Sequence, residues 1–252
     1  MENNRNKGAV KDMIYGIQPV LEALQAGKEI DKLLINREST NAQLAEIHRL
    51  AREQNIPVSR VPEPKLMRVT RKNHQGVIAY MSVISYASLD NIISSAYETG
   101  QVPFVLVLDQ VTDVRNLGAI ARSAECAGVQ ALIIPTKGAA QVTADAVRTS
   151  AGALNHIPVC RVEDLPETIS YLQGCGLQVV GCTEKGEKTI HEMDFSVPTA
   201  IVMGNEEIGI SNTILRTADH LAKIPMNGKI NSLNVSVASG IILFEAVRQK
   251  SL

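Results

Sequence analysis

From Pro103 onward the chain repeats one pattern: a short apolar run, a turn, then an amphipathic stretch. The runs are FVLVLD (104–109), ALIIP (131–135), HIPVC (156–160), LQVVGC (177–182), TAIVMG (199–204) and LAKIPM (221–226). Near-continuous apolar runs of this length suit strands buried on both faces, as in a parallel sheet covered by helices. Between them the spacing predicts helices over Asn116–Ala127, Ala144–Ala151, Val162–Gln173 and Ser232–Lys250.

The first third of the chain has a looser rhythm. An amphipathic helix is expected over Met13–Ala26, ended by Gly27, followed by a strand at Lys32–Ile35 and a helix near Thr40–Gln54. Pro57–Val61 reads as a second strand, Pro64–Lys72 as a basic helix-turn segment and Val77–Val83 as a third strand. Alternation of this kind makes a small α/β module. Ser88–Gly100 reads as a helix within a linker. The expected organisation is α/β throughout: a small domain over 1–84, a linker over 85–102 and a doubly wound domain over 103–252. No internal repeat or low-complexity tract interrupts it.

Composition narrows the classes. Hydrophobic residues are 45% of the 252, enough for a sizeable core, while aromatics are 3% and Trp is absent. So few rings disfavour RNA-recognition modules that stack bases on an aromatic sheet. The net charge of −1 hides an asymmetry: residues 1–75 hold 13 Lys and Arg against 9 Asp and Glu, and the remainder hold 12 against 17. Chance scatter could produce this, and so could a basic module that meets an anionic polymer. Cys126, Cys160, Cys175 and Cys182 form no CxxC or His-spaced cluster, so neither a metal site nor a disulfide framework is expected. The polar MENNRNKG start and the lack of a long apolar run point to a soluble, cytoplasmic protein without a membrane segment.

Ligands of open parallel sheets bind beyond the carboxyl ends of the strands, and three such ends carry unusual polar residues. After the first run, Asn116 opens a helix closed by Gly128. It reads as an N-cap, or, with Arg115 and Arg122 nearby, as part of a phosphate or ribose site at a helix N-terminus. In IVMGNEEIGIS, Gly204 and Gly209 permit a tight turn and close ligand approach, while Glu206 and Glu207 follow where no core packing requires them. An exposed acidic turn is the plain alternative. In KIPMNGKINSLNVSVASG, Ser232, Asn234 and Ser236 cluster at the first turns of a helix, where one of them would suffice as a cap. Neither GxGxxG nor GxxxxGK[ST] occurs, which removes support for dinucleotide pyrophosphate binding and P-loop chemistry.

Together these segments resemble the motifs of the SPOUT (SpoU–TrmD) superfamily, specifically its TrmH/RlmB-like RNA ribose 2′-O-methyltransferases. N-x-G-x-x-x-R is Asn116, Gly118 and Arg122; G-x-E-x-x-G is Gly204, Glu206 and Gly209; the third motif is Ile224–Met226 followed by Ser232–Ala238. Three motifs in order make a specific signal across 103–252. The N-terminal part resembles the substrate-binding module of RlmB-like members, through Tyr15-Gly16 and His74-Gln75-Gly76-Val77.

The resemblance implies S-adenosyl-L-methionine as cofactor, held around Met203, Gly204, Asn205, Gly209, Ile224, Met226 and Leu233. It implies a catalytic set of Arg122, Asn116, Glu206, Ser232 and Asn234, with Arg122 the leading candidate for activating the hydroxyl. RNA would meet Arg68, Arg71, Lys72, His74, Gln75 and Arg115. The implied fold is an L30e-like module before a SPOUT domain with a C-terminal trefoil knot, and the implied assembly is a homodimer. The substrate expected is structured RNA, a guanosine of large-subunit ribosomal RNA ahead of transfer RNA. The competing classes are a non-catalytic ribosome-assembly factor on the same fold and a nicotinamide-dependent oxidoreductase, which the missing glycine fingerprint disfavours.

Overall fold

The computed structural model describes residues 13–250, which divide into one compact unit ending at Ser85 and another beginning at Tyr86. In the first, β1 (Met13–Tyr15), α1 (Ile17–Gln25), β2 (Ile30–Asn36), α2 (Ala42–Glu53), β3 (Val58–Val61), α3 (Glu63–Val69) and β4 (Val77–Met81) follow in order. The sheet runs β1-β4-β2-β3, with β4 antiparallel to both neighbours and β2 parallel to β3. Because side chains alternate across a strand, Leu33 and Ala79 join Val20, Leu24 and Ile47 from α1 and α2 on one face. Leu34 and Ile78 join Val61 and Leu66 on the other.

The expected first helix is too long by one element. Met13–Tyr15 pairs with Tyr80–Ile78 as an edge strand, and Gly16 turns the chain at φ 92° before the helix begins. Three apolar residues fit a 3.6 period as easily as a 2.0 period, so periodicity could not separate the strand from α1. Elsewhere the module keeps the expected order, with ends shifted by a few residues.

The second unit contains α4 (Leu89–Glu98), β5 (Phe104–Leu108), α5 (Val114–Cys126), β6 (Ala131–Pro135), α6 (Ala144–Thr149), β7 (Val159–Val162), α7 (Leu165–Gly174), β8 (Gln178–Cys182), β9 (Lys188–Thr189), β10 (Thr199–Met203), α8 (Asn212–Thr217), β11 (His220–Lys223) and α9 (Val235–Lys250). Seven strands form one parallel sheet in the order β7-β6-β5-β10-β8-β11-β9. Val105, Val107, Val179 and Val202 pack with Ile93 of α4, Ile169 and Leu172 of α7 and Ile214 of α8. The alternate residues Leu106 and Leu108 are also buried, so both faces of the sheet are covered. Helix α4, expected inside a linker, contributes Ile93 to this core.

Four details differ from expectation. Ile224–Met226 leaves the sheet instead of extending β11, and α9 begins at Val235, so Ser232 lies in the preceding loop. The HIPVC run starts its strand late, at Val159. Helix α8 and strand β9, of six and two residues, are too short for a periodic signal. Among the described residues no helix is long and apolar enough to cross a membrane. All four cysteines are free.

Candidate active site

In a parallel sheet every strand ends at the same edge, so the loops after β8, β10 and β11 meet. They enclose, with the loop before α9, a cleft of about 760 Å³. Such a volume suits one nucleoside-sized ligand.

The loop after β10 is shaped by Gly204. A Cβ there would lie 2.3 Å from the backbone C of Gly209 and the N of Ile210, so only glycine fits. The tight return is a two-way backbone pair: Asn205 N donates to Gly209 O at 3.0 Å and Gly209 N to Asn205 O at 2.9 Å, with Gly209 at φ 71°. Asn205 braces it from the side chain. Its Oδ1 accepts from Glu207 N (2.8 Å) and Ile208 N (3.2 Å), and its Nδ2 donates to Gln110 O at 2.9 Å. Buried Asp109 accepts from Ser211 N at 2.7 Å, tying the loop's far end to β5.

Asn234 joins three segments. Its Nδ2 donates to Asn116 Oδ1 at 3.2 Å and to Glu206 Oε1, while its Oδ1 accepts from Ser236 N at 2.9 Å and from the Ser236 hydroxyl. One amide thus caps α9, touches the first turn of α5 and restrains the carboxylate of the Gly204 loop. Asn116 is not the cap of α5. That position belongs to Asp113, whose carboxylate accepts from Arg115 N at 2.6 Å, leaving the Asn116 side chain free to face Asn234. Gly118 has a separate reason: a Cβ would sit 2.7 Å from Thr149 Cβ and 2.9 Å from Ala146 O, so it lets α6 lie against α5.

Of the expected site residues, Met203, Gly204, Asn205, Glu206, Gly209, Ile224, Met226, Ser232 and Leu233 line the cleft. Asn234 and Asn116 adjoin it through the bonds just described. Arg122 is exposed on α5, and no carboxylate among the described residues pairs with it. Sequence reasoning passed over Thr183, Glu184, Lys185, Lys223 and Asn231, which also line the cleft. The strand-end rule applied to β8 would have found the first three. The Cys182 thiol beside them is pushed up to about 12 by burial and then by the Glu184 charge, so it stays protonated and is no competing nucleophile at neutral pH.

In the first unit, Arg68, Arg71 and Lys72 are exposed, with Lys72 over the Tyr15 ring at 5.6 Å. His74 corrects the expectation of an RNA contact. Its ring is 4% exposed, Nδ1 accepts from Gly76 N at 3.1 Å, and Nε2 lies 3.4 Å from Glu63 Oε1 and 3.4 Å from Met67 Sδ. A ring so enclosed holds the turn before β4 and is not available to a polymer. Gln75, at φ 50°, uses its Oε1 to accept from Ile17 N at 2.9 Å, satisfying the start of α1.

The cleft fits the cofactor that the resemblance implies. Ile208, Ile224, Met226 and Leu233 offer apolar surface, and the glycine loop offers main chain. No group of three or more potential metal ligands occurs among the described residues.

Comparison with known proteins agrees on the family and on the cofactor. Residues 103–244 match the SpoU rRNA Methylase family and residues 13–87 match the RNA 2′-O ribose methyltransferase substrate binding family. A Bacillus subtilis protein assigned to the TrmH family of tRNA/rRNA methyltransferases is 35% identical over 240 residues, 95% of this chain and 96% of its own. The AdoMet-bound rRNA methyltransferase from Sinorhizobium meliloti superposes with a TM-score of 0.60 at 30% identity, covering 94% of this chain and 86% of that one. The A. aeolicus TrmH/SpoU tRNA modifying enzyme superposes with a TM-score of 0.55 at 30% identity, covering 65% of this chain and 84% of its own. With both units and the cleft accounted for, the chain belongs to the SpoU/TrmH family of RNA methyltransferases, and its cofactor is S-adenosylmethionine.

Proposed function

We propose that the protein methylates a ribose 2′-hydroxyl in large-subunit ribosomal RNA, at a guanosine, in the cytoplasm. The observation that carries the site assignment is the Asn234 amide bound to both Asn116 and Glu206 at the cleft. It gathers two amides and a carboxylate at the cleft, and Arg122 lies further along the same α5.

S-adenosylmethionine supplies a sulfonium methyl, already a good electrophile, so the chain must mainly align the hydroxyl and manage one proton. The Arg122 guanidinium offers donors and no acceptor, so the base is another group. It binds the RNA phosphate and stabilises the developing alkoxide. The Glu206 carboxylate is the group of this cluster able to accept the proton, while Asn116 and Asn234 hold it and the ribose in place. Ser232 orders the loop beside them, and Met203, Asn205 and Gly209 shape the cofactor's surroundings. Arg122→Ala should lower turnover at saturating cofactor about a hundredfold, the scale of losing one charged donor to a developing oxyanion. S-adenosylhomocysteine affinity should stay as in wild type. Unchanged turnover would remove Arg122 from catalysis. Nuclease-resistant 2′-O-methyl dinucleotides in the product are the direct test of the reaction; base methylation instead would refute it.

Ribosomal RNA is favoured over transfer RNA because the S. meliloti rRNA enzyme aligns across both units, whereas the A. aeolicus tRNA enzyme aligns over 65% of this chain. The extra N-terminal unit, L30e-like in this reading, presents Arg68, Arg71 and Lys72 as an RNA-binding face, with Gln75 at its margin. A trefoil knot is part of the same proposal. The strand order supports it: β11 lies between β8 and β9, and the connection of those two strands passes it at Gly186.

The protein acts as a homodimer. Helix α9 buries Val235, Ser239, Ile242, Leu243 and Ala246. Its other side exposes Val237 at 52%, Ile241 at 39% and Phe244 at 50%, an apolar stripe at helical spacing. A second copy covers that stripe by two-fold symmetry. Phe244→Glu should therefore convert a dimer to a monomer in light scattering at micromolar concentration; a dimer that persists would place the interface elsewhere.

A further inference from the structure

The sheet edge that carries the cleft continues past it. Strands β10, β5 and β6 are successive neighbours, spaced by about 4.8 Å, so the loops after β5 and β6 lie roughly 5–10 Å beyond the Gly204 loop. Those two loops are tied together by Ala140 N donating to Val111 O at 2.8 Å. Helix α6, which follows the second loop, is drawn onto α5 by the glycine contact at Gly118. Loop, loop and helix form one continuous surface.

Its exposed cations are Arg115 after β5, Lys137 after β6 and Arg148 on α6, the last with 81% of its side chain exposed. Two acids face them and keep their charge: Asp113 accepts from the Arg115 backbone N–H, and Asp145 pairs with Arg148 at 2.9 Å in an exposed contact that water and salt weaken. The next loop, after β7, is acidic, with Glu163 exposed and Asp164 capping α7 through Glu167 N. Between Asn116 and β7 the three cations therefore outnumber the two acids.

We propose that this surface is a backbone-binding tract for the RNA flanking the methylated ribose, in which Arg115, Lys137 and Arg148 contact successive phosphates. It rests on the RNA-methylating reading above and adds Lys137 and Arg148 to it. The tract fixes where the strand runs relative to the cleft, and reads no bases. All three cations belong to the second unit.

The test uses the full chain and a fluorescein-labelled, random-sequence single-stranded RNA. In Lys137→Ala/Arg148→Ala the slope of log affinity against log salt should fall by about 1.4, two contacts at about 0.7 each for a single strand. RNA affinity near physiological salt should drop about tenfold, with S-adenosylhomocysteine affinity unchanged. The charge-keeping Lys137→Arg/Arg148→Lys variant should restore the wild-type slope. A slope that stays put in the alanine variant, or one the charge-keeping variant fails to restore, overturns the tract. Wild-type protein that bound no RNA would overturn the RNA-methylating reading with it, whereas wild-type binding with an unaltered variant slope would overturn the tract alone.

Discussion

Gly204→Ala should abolish S-adenosylmethionine binding while leaving the fold intact. The added methyl would lie 2.3 Å from two backbone atoms and 2.5 Å from the Gly209 carbonyl oxygen, with no flexible side chain to move aside. Relief requires the Asn205–Gly209 pair to part, and that pair forms one wall of the cleft. The Asn205 brackets on Glu207, Ile208 and Gln110 would shift with it. A loss beyond about a hundredfold in affinity, about 2.7 kcal/mol, is the expected size; backbone overpacking of about 1–3 kcal/mol or more reaches it. Gly228→Ala is the control, because a Cβ there meets nothing closer than 3.9 Å. Calorimetric titration with S-adenosylhomocysteine checks both. An affinity for Gly204→Ala within a few-fold of wild type would show that the wall is not needed.

Asn234→Ala should behave in the opposite way, retaining cofactor and losing about a thousandfold in methyl transfer. Its amide donates to Asn116 and Glu206 at once, so truncation frees the carboxylate and the α5 side chain together. Losing one positioned donor in an active site costs about a hundred- to a thousandfold, and here two groups lose their restraint. Truncation also removes the Ser236 contacts, a cap worth about 1 kcal/mol. Asn234→Asp separates the two effects. The aspartate keeps an acceptor for Ser236 but offers no N–H₂ and sets a second negative charge beside Glu206. It should recover thermal stability and remain inactive. Near-normal turnover in the aspartate variant would mean that the bridge between α5 and the Gly204 loop does not matter to chemistry.

What could be read in advance follows from how locally each feature is encoded. Strands β5 and β10 are fully buried and β6 is buried up to Pro135, so every residue of FVLVL, ALII and TAIVM had to be compatible with the interior, and the runs stand out. β1, β9 and α8 carry too few residues to show a period. Asp113 and Asn116 both suit a helix start, and only the backbone geometry awards the cap to Asp113. Ser232, Asn234 and Ser236 were visibly too many polar residues for one cap. That Asn234 is the one that bridges was not visible, because its partners lie 118 and 28 residues away. His74 was drawn to RNA by its motif and its basic neighbours. A burial that depends on Glu63, Met67 and Gly76 closing round it left no trace in composition.

The strand order has a consequence for how the chain is made. β5 is flanked by β6 and β10, yet β10 follows β5 by about 95 residues, as the pairing of Thr199 with Phe104 shows. At about 5–20 residues per second of synthesis, the β5–β6–β7 half-sheet must wait roughly 5–20 seconds for the strand that closes it. Through that interval FVLVL is an apolar edge with unpaired backbone, the kind of template that invites a neighbouring nascent chain to pair with it. Crowded translation, then, is the moment at which this enzyme is most exposed to loss.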